Sequence, residues 1–190
     1  DLVSKGEVSA KELLDSAVAR ANKLNPKLNA IIHRFDERAY DQAQAGLPSG
    51  AFTGVPYLLK DLSYSFEGEP LTMGSRSVNI QSDYDSEIVK RMKATGVNTF
   101  GKTNTPEFGA GSQTFNPIFG RTTNPYDVTK TCGGSSGGAA VAVTCGMLPF
   151  ADGSDLGGSV RNPPSFCNVV GLRTSPGRVP RWPNLAPWSS

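Results

Sequence analysis

With 190 residues, 19 Lys plus Arg against 17 Asp plus Glu and a net charge of +2, the chain carries no basic stripe and gives no support to a nucleic-acid surface. Its 37% apolar content argues against disorder, and no apolar run approaches the ~18 residues of a membrane span. The length allows one core-forming domain.

Ser9-Ala10-Lys11-Glu12 reads as a capping box that opens a helix. Leu13, Leu14, Ala17, Val18, Ala21 and Leu24 follow at helical spacing, and Pro26 is expected to end it. Residues 29–34 are a short strand candidate, and Asp36 to Ala45 a second helix closed by Gly46 and Pro48. These helices are expected to form an outer layer over residues 1–50. From Gly54 the texture changes. VPYLLK at 55–60 predicts a strand bounded by Gly and charge, and the polar stretch 63–85 a loop. Ser86 opens a helix through Val89, Met92 and Ala94 that ends at Gly96, and 97–102 predict the next strand. Residues 103–132 show little regular pattern, with turns at Asn116-Pro117 and Asn124-Pro125. Ser136 to Thr144 predicts a small-residue helix suited to close packing. LPFAD at 148–152 predicts a strand before a Gly-rich turn. Short strands alternating with helices indicate an α/β layered fold without internal repeats.

Cys132, Cys145 and Cys167 are odd in number and form no CxxC pair. That argues against a disulfide framework and favours an intracellular, cytoplasmic compartment; the three read most simply as buried small apolar residues. The single His33 excludes a His-based metal cluster within the segment and weakens any Ser-His-Asp site. The chain opens at Asp1 without Met and closes on PRWPNLAPWSS with no clear element end, so a piece of a longer chain is expected.

Two Gly-Ser stretches, GGSSGGAA at 133–140 and ADGSDLGGSVRNPP at 151–164, raise the question of chemistry. Neither holds the Lys of a Walker loop, the spacing of a dinucleotide fingerprint or a GxSxG elbow. Both are flanked by apolar runs, which argues against a linker. The remaining reading is nucleophilic catalysis without histidine. A serine hydroxyl needs a base, and a lysine serves when burial lowers its pKa. Lys60 ends an apolar strand that would bury its stem. Gly157 and Gly158 before Ser159 would let backbone N–H groups converge on an oxyanion. Ser135 could pass a proton between the two.

These segments resemble the amidase signature family of serine hydrolases. GGSSGG and GSDLGGSVRNP resemble its Gly/Ser-rich signature, GVPYLLKD at 54–61 its lysine motif, GKTNTPEF at 101–108 the segment that follows, and CNVVGLRTSPGRV at 167–179 the part after the nucleophile. The motifs occur in order across roughly residues 50–180. The resemblance implies a large mixed β-sheet flanked by helices, of which this chain would supply the N-terminal portion of a single amidase domain. Residues 1–50 would be outer helices and 50–180 the catalytic core. It implies Ser159 as acylated nucleophile, Ser135 as a bridging serine beside a cis peptide bond, and Lys60 as base. The N–H groups of Leu156, Gly157, Gly158 and Ser159 would form the oxyanion hole, with Ser136, Ser154, Asp155 and Arg161 in support. No cofactor or metal is implied.

Ser154 stands where the family more often has Thr, which keeps the hydroxyl. Tyr57, Leu58 and Leu59 are bulkier than the small residues common before the lysine, and Asn162-Pro163-Pro164 replaces a more usual apolar-Pro-Ala. The expected substrate is a small or medium carboxamide, with part of the 108–124 loop in contact, no direct nucleic-acid or membrane partner, and a homodimer as an option. Two alternatives stand beside it: the amidase subunit of a glutamyl-tRNA amidotransferase, and an inactive fragment of a longer amidase. Tyr57, Met73, Phe108, Phe115, Phe119 and Trp182 could line a pocket, but each reads individually as core.

Overall fold

The computed structural model describes residues 2–62 and 64–183; the last seven residues of PRWPNLAPWSS lie outside them. Helix α1, Ala10–Leu28, opens on the expected capping box: the Glu12 N–H donates to Ser9 Oγ at 3.1 Å and the Ser9 N–H to Glu12 Oε2 at 2.8 Å. It runs past Pro26, against expectation. A proline in the final turn removes a single donor, and Asn29 closes the helix in the left-handed region with its N–H on the Asn25 carbonyl. The Asn25 side chain then accepts the N–H groups of Ala30 and Ile31, both at 2.8 Å, and leads the chain into strand β1, Ile31–Arg34. Helix α2, Asp36–Ala45, follows as expected.

Strand β2, Pro56–Lys60, is buried throughout. The stretch expected to be a loop contains a two-residue pair, β3, Pro70–Leu71, with β4, Ile80–Gln81. Helix α3, Glu87–Ala94, leads to strand β5, Asn98–Thr103. A second small pair joins β6, Phe115–Asn116, to β7, Gly120–Arg121. Helix α4, Gly137–Thr144, and helix α5, Asn162–Cys167, complete the described elements.

The main sheet has the order β1-β5-β2, with β1 antiparallel and β2 parallel to β5, so it is mixed. Two clusters fill its sides. Leu58 and Phe100 pack with α1 residues Leu14, Ala17 and Ala21 and with Ala140, Val141 and Ala142 of α4. Tyr57 and Leu59 pack with Phe66, Val89 and Val97. Alternation along β2 explains the division: Leu58 faces α4, its neighbours face away, and Lys60 shares the Leu58 face.

LPFAD at 148–152 is not a strand. Leu148 enters the first cluster and Phe150 stacks on Phe52 and Tyr57 with ring centroids 4.9 and 5.4 Å apart. The run is apolar because an irregular segment is buried, not because it pairs. Helix α5 was not expected, since Asn162-Pro163-Pro164 reads as a breaker. Prolines in a first helical turn need no N–H, and there they start the helix.

Candidate active site

Lys60 is the last residue of β2 and is fully buried. Its Nζ donates to three serine hydroxyls: Ser135 Oγ at 2.6 Å, Ser136 Oγ at 2.9 Å and Ser154 Oγ at 3.0 Å. Burial pushes its pKa down from 10.5 to about 7, against a smaller opposing pull from Asp152 and Asp155.

The serines arrive from two elements. Ser135 and Ser136 immediately precede α4, and the Gly134–Ser135 peptide bond is cis, as expected. Helix α4 can lie this deep because its first turn has almost no side chains. A Cβ on Gly138 would stand 2.5 Å from the Asn104 nitrogen and 2.6 Å from the Ala30 carbonyl oxygen. The second element is the loop 151–161. The Ser154 N–H donates to Ser136 Oγ at 3.3 Å, and the Ser136 N–H donates to the Ser159 carbonyl at 3.3 Å. Those bonds bring Ser159, itself partly exposed, against the start of α4.

Asp155 shapes the turn that carries Ser159. Its carboxylate accepts the N–H groups of Gly158 at 2.8 Å and Val160 at 3.0 Å, and Arg161 bonds both oxygens at 2.9 and 3.0 Å. The Arg161 guanidinium holds Asp155 well below the usual carboxylate range. Gly158 has φ +124°, a conformation that L side chains rarely adopt. Of the four N–H groups expected to form an oxyanion hole, that of Gly158 is engaged by Asp155. Those of Leu156, Gly157 and Ser159 have no acceptor among the described residues.

Lys60, Ser135, Ser136 and Ser154 are thus joined side chain to side chain. Ser159 is tied to them through its backbone, and Asp155 with Arg161 braces the turn. Asp152 was not singled out in the sequence: it accepts the Lys60 backbone N–H at 2.8 Å. The only signal was a carboxylate closing an apolar run. Tyr57 is core, whereas Phe108 and Phe115 are exposed and line a concavity with Ser112 and Gln113. That concavity adjoins the site, since a Cβ on Gly134 would stand 2.6 Å from the Gln113 nitrogen. Cys132 and Cys167 are fully buried, which pushes their thiols up to about 11 and about 12. Among the described residues no three His, Cys, Asp or Glu side chains converge to hold a metal ion.

The family model for amidases matches residues 12–190. The chain belongs to the amidase signature family. It is 42% identical over 182 residues to a 6-aminohexanoate-cyclic-dimer hydrolase of Paenarthrobacter ureafaciens, covering 94% of this chain and 36% of that protein. It is 38% identical over 192 residues to the A-subunit of the glutamyl-tRNA(Gln) amidotransferase of Chromohalobacter salexigens, covering 97% and 39%. The solved structure of a bacterial aryl acylamidase of the family superposes with a TM-score of 0.86 at 33% identity, covering 96% and 40%. That of a 6-aminohexanoate cyclic dimer hydrolase with substrate gives 0.81 at 41%, covering 87% and 35%. The amidase signature fold is therefore this chain's fold, with its mixed sheet flanked by helices. The chain spans little more than a third of the length of these relatives. Among the described residues no helix is long and apolar enough to cross a membrane.

Proposed function

We propose that the protein is an amidohydrolase that cleaves the carbon–nitrogen bond of a small or medium carboxamide through an acyl-enzyme on Ser159. The observation that carries this reading is the buried Lys60 amine, 2.6 Å from Ser135 Oγ and lowered to about 7. Neutral Lys60 accepts the Ser135 hydroxyl proton while Ser135 accepts that of Ser159. Ser159 Oγ attacks the carbonyl carbon, and the tetrahedral oxyanion is held by N–H groups of residues 156–159. The relay then reverses, protonates the leaving amine and frees it, and water hydrolyses the ester by the same route. Ser136 and Ser154 hold Lys60 in register, and Asp155 with Arg161 shapes the turn.

Residues 1–190 are taken as the N-terminal portion of one amidase domain, with 1–50 as outer helices and 50–180 as the catalytic core. The one-third span of relatives supports this. The three unpaired cysteines support a cytoplasmic site of action. Similarity to proteins named cyclic-dimer hydrolase favours a hydrolase, and similarity to the amidase-type component of glutamyl-tRNA(Gln) amidotransferases keeps a second reading. Purification of the full natural chain separates the two: an obligate heteromer favours the amidotransferase component, and a self-sufficient monomer or homodimer the hydrolase. Ser159→Ala should abolish hydrolysis of a primary amide and of an anilide while circular dichroism stays unchanged. Turnover retained in that variant would overturn the reading.

A further inference from the structure

Two carboxylates approach the Lys60 end of β2. Asp155 is satisfied by two N–H groups and the Arg161 fork. Asp152 is not. Its Oδ1 accepts the Lys60 N–H across 92 residues of sequence, and its Oδ2 is buried with no hydrogen-bond partner among the described residues. A buried carboxylate oxygen left unpaired is costly, and a native structure that keeps one calls for a reason.

We propose that Asp152 is the positioning residue of the lysine base: Oδ1 latches the end of β2 to the loop that carries Ser154 and Ser159, and the charge on Oδ2 governs whether Lys60 keeps its proton. This rests on the reading of Lys60 as base. Burial raises the Asp152 carboxyl to about 7, opposed by the Lys60 N–H bond and the Lys60 and Lys102 charges. The other ionisable groups around the pair act as follows. Lys102 of β5 is engaged by the Pro70 and Tyr64 carbonyls and lies 3.8 Å from Asp61. Asp155 adds a pull on the Lys60 proton but is itself neutralised by Arg161. Tyr57 and Tyr64 are both pushed up by burial and stay neutral across the working range. An ionised Asp152 therefore holds the proton on Lys60. A protonated Asp152 leaves the ammonium in a buried pocket of hydroxyls, where the neutral amine is favoured.

Asp152→Asn keeps the acceptor for the Lys60 N–H and removes the charge. In the full natural chain, the rate at which a fluorophosphonate labels Ser159 should then reach its plateau at lower pH, with the acid limb displaced by about one unit or more. Asp152→Leu also removes the latch and should lower the plateau, which the Asn variant restores relative to Leu. If the Asp152→Asn variant does not fold, Asp152→Ser, a smaller neutral acceptor, is read in the same way. A profile in the neutral variant that superimposes on the wild type overturns the proposal and leaves Asp152 a structural residue. A Lys60→Met variant with the wild-type profile, or a wild-type protein labelled elsewhere than Ser159, defeats instead the underlying reading of the site.

Discussion

Lys60 is the residue on which the chemistry turns. A drop from 10.5 to about 7 corresponds to roughly 5 kcal/mol against the ammonium, a cost that packing alone would not retain. The neutral amine, not the ammonium, can take a proton from Ser135. Acylation should therefore be slow below about pH 7 and rise to a plateau above it, measured in single-turnover experiments. Lys60→Ala and Ser135→Ala should each lower turnover by about three orders of magnitude or more, and the double variant little further, because the relay fails as a unit. Kinetics of the three variants check this. Ser135, Ser159 and Lys60 were legible because each sits in a motif whose order resembles the family's. Asp152 was not, since nothing in the sequence links a carboxylate at 152 to the main chain of residue 60.

At the scale of elements, the site depends on how closely α4 approaches the sheet. Gly138→Ala would press a methyl against the Asn104 nitrogen and the Ala30 carbonyl, both backbone atoms that cannot step aside. The change should destabilise the fold by about 3 kcal/mol or more, or displace α4 and with it Ser135. Urea denaturation checks it, and a change near zero would contradict the packing described. The elements that the sequence revealed are those with local signals: the capping box of α1, the bounded run of β2, and the alternation that turns Lys60 toward α4. The pairs β3–β4 and β6–β7 are too short for periodicity to show. LPFAD misled because burial of an irregular segment produces the same apolar run as a strand. Pro26 and Pro163-Pro164 misled because a proline interrupts a helix only where its missing N–H had an acceptor.

For the molecule as a whole, Asp152 and Lys60 make stability depend on pH in opposite senses. Folding raises Asp152 from 3.8 to about 7, so between those values the folded state binds the extra proton. That contribution to stability is present below about pH 4 and is lost as pH rises through about 7. Folding lowers Lys60, so from about 7 to 10.5 the unfolded state binds the extra proton, and stability recovers as pH rises. Denaturation of wild type and Asp152→Asn across this range should show the wild type losing ground to the variant between pH 4 and 7; parallel curves would contradict the raised carboxyl. Leu156, Val170, Leu172 and Trp182 are largely exposed, and the chain spans little more than a third of its relatives. Residues 1–190 expressed alone should therefore turn over an anilide far more slowly than the full natural chain. Equal activity in a monomeric 190-residue protein would contradict the assignment as part of a larger domain.

The central claim is that a buried neutral lysine activates Ser159 through Ser135. The most direct test is fluorophosphonate labelling of the full natural chain followed by peptide mapping, with the labelling rate measured from about pH 5 to about pH 9. The account predicts one adduct, on Ser159, absent from Ser159→Ala, with a rate that climbs through about pH 7 in the wild type and stays low at every pH in Lys60→Ala. An adduct on another serine, or a Lys60→Ala profile that matches the wild type, would contradict it.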